Sequence, residues 1–234
     1  MRSFGRVLLV AAASLGSALA QDAEQIMERV RIGATLQHND LEGKIRKRGT
    51  PDTSVALFLK GKNIQFQYSQ NGGAWQIFHM RLGRGQYDLF EIVGGKTRGF
   101  PGSKLAQPIA GSDLTYEDLS MRFLYWPNPS IEGEEKVGVF DCWKIRVDNP
   151  GGGGAYRTMY VWVSKKHGAF VKVQGFDRNG DIVKEFKVED VMKLKDGSYT
   201  LRKMEVASYA RKRVSGRSEL SFEPPTKPKL RGPR

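Results

Sequence analysis

Through most of this chain apolar and polar residues alternate one by one. In NIQFQYS, Ile64, Phe66 and Tyr68 take turns with Gln65, Gln67 and Ser69, which predicts a strand with one apolar face. In WQIFHMRL, Phe78, Met80 and Leu82 alternate in the same way. YDLFEIV, EKVGVFDCWKIRVD, YRTMYVWVSK, AFVKVQGFD, DIVKEFKVED, SYTLRKMEVASY and SELSFEP continue the series. Turn chemistry stands between these runs: Gly61-Lys62-Asn63, Asn71-Gly72-Gly73, Gly83-Arg84-Gly85, His167-Gly168, Asn179-Gly180 and Asp196-Gly197. Asn-Gly and Asp-Gly favour the positive φ angles of tight hairpins. The pattern predicts an antiparallel meander of about ten strands, and a sheet that long curls or closes.

Two segments break the alternation. In residues 22–36, Ile26, Val30 and Ala34 recur four apart with Met27 beside them, which predicts an amphipathic helix opened by acids. In GSDLTYEDLSMRFLYWPNP, Thr115 and Asp118 have capping-box spacing. Pro127 ends that helix near Tyr125, so a helix over 116–125 is expected, with Tyr116, Leu119 and Phe123 on one stripe. Its acids read as helix caps in preference to a paired-carboxylate active site. TMYVWV is apolar on both faces, with Met159, Val161 and Val163 opposite Tyr160 and Trp162. That calls either for helices over the outer face or for an apolar cavity on the inner one, and the pattern leaves both open.

Composition then narrows the setting. Arg2 and Arg6, the uncharged run at 7–15 and Ala18-Leu19-Ala20 read as a cleavable export signal over residues 1–20, with cleavage after Ala20. No later run is long enough to span a bilayer as a helix. Residues 21–222 then form one domain, and 223–234, EPPTKPKLRGPR, a disordered basic tail. Pro150 with Gly151–Gly154 reads as a flexible loop. The full chain of 234 residues carries a net charge of +13. An exported protein meets little nucleic acid, so an anionic membrane surface is the expected partner of that charge. Lys44, Arg46 and Arg48, and Arg211, Lys212 and Arg213, are the candidate headgroup contacts.

Chemical motifs are incomplete. Gly94-Gly95-Lys96-Thr97 resembles the end of a phosphate loop, but Phe90 stands where the first glycine belongs. Asp177, Asn179 and Asp181 have half the spacing of a calcium loop, but Val188 replaces its closing acid, and a hairpin turn explains the same residues. His38, His79 and His167 show no metal-ligand spacing and accompany no nucleophile motif. Cys142 is the one cysteine and reads as a buried, inert thiol. No catalytic residue, metal or cofactor is expected.

GSDLTYEDL at 111–119, DCWKIRVDNP at 141–150, YVWVSKKHGAFVKVQGFDRNGDIVKEF at 160–186 and YTLRKMEVAS at 199–208 resemble the outer-membrane lipoprotein-sorting, or LolA-like, family. Asp113, Tyr116, Glu117, Asp118 and Leu119 are the sharpest part of the likeness, which extends over residues 30–222. The resemblance implies an α+β, mainly β fold: a meander curled into an incomplete β-barrel, with helices covering or plugging it. It further implies a periplasmic, non-catalytic carrier of lipidated protein or lipid, monomeric and served by an inner-membrane exporter. An envelope sensor or protein-binding module on the same fold is the alternative, and a surface adhesin a weaker one. Ile64, Phe66, Tyr68, Phe78, Met80, Tyr116, Leu119, Phe123, Met159, Val161 and Val163 are the expected cavity residues.

Overall fold

The structure, a computed structural model, describes residues 23–34, 38–83, 87–151, 153–194 and 197–223. The expected export signal and the tail beyond Glu223 lie outside the described residues. Helix α1 spans 23–34, and the chain then enters a sheet of thirteen antiparallel strands among the described residues. The first six are β1 (His38–Lys47), β2 (Thr53–Lys60), β3 (Asn63–Gln70), β4 (Gln76–Leu82), β5 (Tyr87–Val93) and β6 (Lys96–Gly99). After the short helix α2 (Tyr116–Ser120) come β7 (Ser130–Val137), β8 (Phe140–Asp148), β9 (Thr158–Ser164) and β10 (Phe170–Phe176). The last three are β11 (Ile182–Lys193), β12 (Tyr199–Ala210) and β13 (Arg213–Glu223). The fold is mainly β and the sheet is open.

The expected single meander is in fact two. The order across the sheet is β6-β5-β4-β3-β2-β1-β13-β12-β11-β10-β9-β8-β7. One hairpin series runs outward from β1, the other runs from β7 inward, and they meet where β1 pairs with β13, Ile45 opposite Leu220. Residues 100–129 therefore link the two edge strands, β6 and β7, and cross the concave face on the way. EKVGVFDCWKIRVD is not one strand, because Gly138 with positive φ turns the chain between β7 and β8 and pairs Val137 with Phe140. The strands at β1, β2 and β6 carry less regular alternation and bring the count above ten.

The sheet has two ends. Call the upper end the one with the turns at 48–52, 71–75, 177–181 and 211–212; the lower end then has those at 61–62, 138–139 and 165–169 and the β11–β12 connection. At the upper end Asp177 accepts from the backbone N–H of Asn179 at 2.8 Å and of Asp181 at 3.0 Å, so the calcium-like residues serve a hairpin turn. Gly94 and Gly95 form the tight β5–β6 turn, not a phosphate loop.

Packing resolves the two-sided apolarity of β9. Met159, Val161 and Val163 enter the main core on the concave side. Trp162 faces the convex side, where the Lys172 ammonium lies 3.7 Å from its ring centre and its indole N–H donates to Glu135 at 2.8 Å. Lysine stems cover that outer face, and no helix is needed there. Cys142 is fully buried beside Trp162, and burial pushes its thiol pKa up, as an inert core thiol requires.

Helix α1 lies on the concave side, with Met27 and Val30 buried in the main core and Ile26 and Ala34 packed against it. Its Arg31 donates from Nε to the Leu124 carbonyl at 2.5 Å and stacks over Tyr125. The helix and the crossing segment thus share one cover over the sheet. Among the described residues, no helix is long and apolar enough to cross a membrane.

Candidate functional site

Between the concave sheet and its cover lies an apolar cavity of about 110 Å³. Its floor takes Leu57 and Leu59 from β2, Ile64 and Phe66 from β3, and Met80 from β4. Across the seam, Leu220 and Phe222, Leu201 and Met204, Phe186, and Phe170 and Val173 complete it. These positions place the cavity toward the lower end of the sheet. Leu114, Leu119, Met121 and Phe123 of the crossing segment form the roof.

Of the residues singled out from sequence, Ile64, Phe66, Met80, Leu119 and Phe123 line this space together. Phe78 and Tyr116 stand beside it in an aromatic group with Phe100, with ring centres 4.8–5.3 Å apart. Tyr68 and Tyr116 share a hydrogen bond of 2.6 Å between their hydroxyls. Met159, Val161 and Val163 share the core but do not reach the cavity. Leu201, Leu220 and Phe222 were missed, although the alternation of β13 marks Leu220 and Phe222 as facing one way. Phe170 stands at a strand start, where alternation has no phase.

The crossing segment shows why its sequence is as it is. Thr115 caps α2: its hydroxyl accepts from Asp118 N–H at 3.2 Å, and Asp118 accepts from Thr115 N–H at 2.8 Å. The helix does not run to Tyr125, however. Met121 takes positive φ, 45°, and a 3-10 turn follows over Arg122–Tyr125. That break, costing about 1–2 kcal/mol for a residue with a side chain, swings Phe123 and Met121 into the cavity roof. Trp126 is extended, as a residue before proline must be.

The acids of the segment stand at the helix start as expected, with Asp118 closing the capping box, and the structure adds that both are buried. Glu117 and Asp118 are buried on the sheet side of α2. Asp118 meets the Lys184 ammonium of β11 at 3.3 Å and accepts from the Tyr156 hydroxyl. Lys184 also donates to the Asp113 carbonyl, and to the Ser208 hydroxyl at 3.2 Å. Asp113 accepts from the Ser218 hydroxyl at 2.8 Å and from Lys47 at 3.3 Å. Gly216 on β13 makes room for this carboxylate, since a Cβ there would lie 2.2 Å from an Asp113 oxygen. No buried side-chain polar atom among the described residues lacks a partner, as a low-dielectric interior demands. The motif Asp113–Leu119 therefore fastens the crossing segment to β1, β11 and β13 at the upper end, while its apolar members roof the cavity below.

Glu117 accepts from Ala155 N–H at 2.8 Å and ties down the 149–157 loop, which Asn149 also holds by donating to the Gly153 carbonyl at 2.6 Å. The described part of the Pro150–Gly154 stretch is thus anchored. Burial raises the Glu117 carboxyl above its ordinary value of 4.5; the Ala155 N–H opposes the rise and the charge of Asp118 adds to it. The folded protein keeps this proton to higher pH than the unfolded chain does. Its contribution to stability therefore falls as pH rises from 4.5 through the folded value. Glu117→Gln keeps an acceptor for Ala155 and removes the charge. The variant should have a higher urea midpoint than wild type at pH 7, with the gap closing toward pH 4.5; a gap that widens on acidification would contradict this assignment.

The basic residues expected to meet headgroups sit at the upper end and are partly neutralised. Lys44 and Arg46 pair with Asp52 at 3.5 and 3.3 Å, and Lys212 pairs with Asp181 at 3.3 Å. Arg48, Arg211 and Arg213 are exposed. His38, His79 and His167 lie on separate elements, and no group of acids, histidines and cysteines among the described residues has the makings of a metal site.

A family model described as "Uncharacterized protein" matches residues 94–223, more than half of the chain. The chain belongs to that family. No curated protein matches the sequence. Solved structures do. A DUF1329 family protein from Desulfovibrio piger is 18% identical with a TM-score of 0.69, over 88% of this chain and 91% of that one. An outer membrane lipoprotein-sorting protein domain from Vibrio parahaemolyticus is 16% identical with a TM-score of 0.70, over 87% and 91%. A LolA superfamily protein from Nitrosomonas europaea is 14% identical with a TM-score of 0.64, over 86% and 91%. The family's fold is thus the LolA-like one: an open, curled sheet with helices on its concave face. At these identities the likeness speaks for the fold, and function must be argued from the site.

Proposed function

We propose that this protein is a non-catalytic carrier of the acyl chains of lipidated protein or lipid, held between the concave sheet and the crossing segment. The observation that carries the reading is the division of labour in residues 111–126, with polar anchors at the upper end and an apolar roof at the lower. An acyl chain exposed to water costs about 0.8 kcal/mol per CH₂, so a carrier needs an apolar interior closed by a cover that can lift. The cavity of about 110 Å³ is smaller than the roughly 150 Å³ that admits benzene. On this reading the arrangement described is the closed state, and loading requires the roof to move away from β2, β3 and β12. The aliphatic and aromatic floor, extended by the aromatic group around Tyr116, is the surface that would then receive the chain. The likeness to a lipoprotein-sorting domain supports the same reading.

On this proposal the chain works as an exported monomer in the periplasm, takes its cargo from an inner-membrane exporter and moves it toward the outer membrane without a cofactor. The test is mass spectrometry of organic extracts of the purified protein, together with uptake of a fluorescent fatty acid. Val173→Phe should fill the cavity, leave the thermal midpoint within a few degrees of wild type and reduce uptake about tenfold, since added volume finds empty space before it meets strain. Absence of co-purifying lipid and of uptake by the wild type would sink the carrier reading.

A further inference from the structure

The lower end of the sheet carries exposed apolar side chains on neighbouring turns. At the β7–β8 turn Val139 is 82% exposed, and Phe140 beside it stacks edge-on against His167 of the β9–β10 turn, with ring centres 6.0 Å apart. Farther along, the β11–β12 hairpin outruns its neighbour. Lys187 is the last residue of β11 paired with β10, opposite Lys172, only two residues from the start of β10. β11 continues to Lys193, so the hairpin projects past β10 by four residues, roughly 13 Å of strand. This arm bears Val191, 51% exposed, and Tyr199, 62% exposed.

Register connects the arm to the cavity. Val191 pairs directly with Leu201, and Lys193 with Tyr199, so all four share one face. Leu201 lines the cavity. Tyr199, Val191 and Leu201 thus lie along one face of the hairpin, with Lys193 opposite Tyr199 near the tip and Leu201 at the cavity wall. Exposed lysines surround the same end: Lys60 and Lys62 at the β2–β3 turn, Lys136 and Lys166 at the next turns, and Lys193 on the arm. Acids share this end, but Glu134 is engaged by Lys165, Glu189 by Lys203 and Asp190 by Arg202, with Asp40, Asp141 and Glu223 also nearby; the five lysines just named are in none of these ion pairs.

We propose that this lower end is the surface by which the protein docks on an anionic bilayer, and that the Tyr199–Val191–Leu201 strip is the path of the acyl chain between bilayer and cavity. The proposal rests on the carrier reading and gives it a direction. Separate apolar tips among lysines suit a plane of anionic headgroups over acyl chains, which accepts apolar side chains and attracts cations at once. Tyrosine, apolar in body and polar at its tip, suits that boundary. The arginines of the upper end face the other way, far from the cavity.

Co-sedimentation with vesicles tests the surface. Wild type should bind vesicles of equal parts phosphatidylcholine and phosphatidylglycerol, less so as salt is raised, and bind pure phosphatidylcholine weakly. Val139→Ser with Tyr199→Ser, and separately Lys166→Glu with Lys193→Glu, should each lose about tenfold in binding. All four positions are exposed, so folding should be kept, which circular dichroism checks. Arg211→Glu with Arg213→Glu at the upper end should bind as wild type does. Loss of binding by that upper-end pair alone, equal binding to both vesicle types, or no vesicle binding by wild type would overturn the proposal. So would a soluble dimer abolished by the tip variant, since the occupant would then be a second copy. Fatty-acid uptake in vesicle-free solution separates the two ideas. If uptake persists while docking fails, only the docking surface falls; if wild type takes up nothing, the carrier reading falls.

Discussion

Lys184→Met should lower the unfolding free energy by about 3–5 kcal/mol, the usual cost of stripping one partner from a buried ion pair. Lys184 is buried on β11, with its ammonium 3.3 Å from Asp118, 3.2 Å from Ser208 and bonded to the Asp113 carbonyl. Methionine replaces the stem but none of the donors. Asp118 would remain a buried carboxylate, supported only by the Tyr156 hydroxyl and the Thr115 N–H. Urea denaturation gives the magnitude, and limited proteolysis within 101–126 gives the place, because the segment loses its anchor to β11 and keeps only those to Ser218 and the 149–157 loop on that half of the sheet. Adding Asp118→Asn to the same chain should recover part of the loss by removing the stranded charge. A loss under about 1 kcal/mol would mean that the pair is solvated.

Gly43→Ala should be nearly as damaging, at about 1–3 kcal/mol or more. Gly43 stands in β1 opposite Phe222 of β13, at the seam where the two meanders join. A Cβ there would lie 1.9 Å from the Ser221 carbonyl oxygen. Backbone cannot swing aside as a side chain does, so one methyl group forces β1 and β13 apart. Since Phe222 lines the cavity, the cavity should distort with the seam. A thermal melt reads the first effect and fatty-acid uptake the second. An unchanged midpoint would show that the seam has slack.

Both positions are ordinary in the sequence. Lys184 follows Val183 in an alternating run and reads as a solvated strand residue. Gly43 sits between Glu42 and Lys44, with no turn chemistry beside it. Their importance comes from groups far along the chain: Asp113 is 71 residues from Lys184, and the Ser221 hydroxyl reaches the Lys44 carbonyl across 177 residues. The cavity shows the same divide. Ile64, Phe66 and Met80 were legible because alternation marks a face, and Leu119 because a helical stripe does, whereas Phe123 reaches the roof through the break at Met121 that the stripe does not foresee. Leu201 was not, because a register shift in β12 between Lys203 and Leu201 changes the phase of the pattern. Likewise, Glu117 and Asp118 suit a helix start by local rules, and those rules are silent about what lies beneath the helix.

By itself the sequence determined what acts over a few residues: the period-two strands, the tight turns between them, the Thr115 cap and the extended residue before Pro127. Each follows from backbone sterics and from hydrogen bonds between near neighbours. Only the tertiary structure decided that two meanders meet at β1 and β13, and that residues 100–129 cross from one edge strand to the other. It also decided that Asp113 and Asp118 turn inward to Lys47 and Lys184, and that Leu201 of β12 reaches the cavity wall. Those outcomes depend on which apolar faces are buried against each other and on which buried charge finds its counter-charge. Both are settled between residues distant in the chain, where a local pattern carries no information.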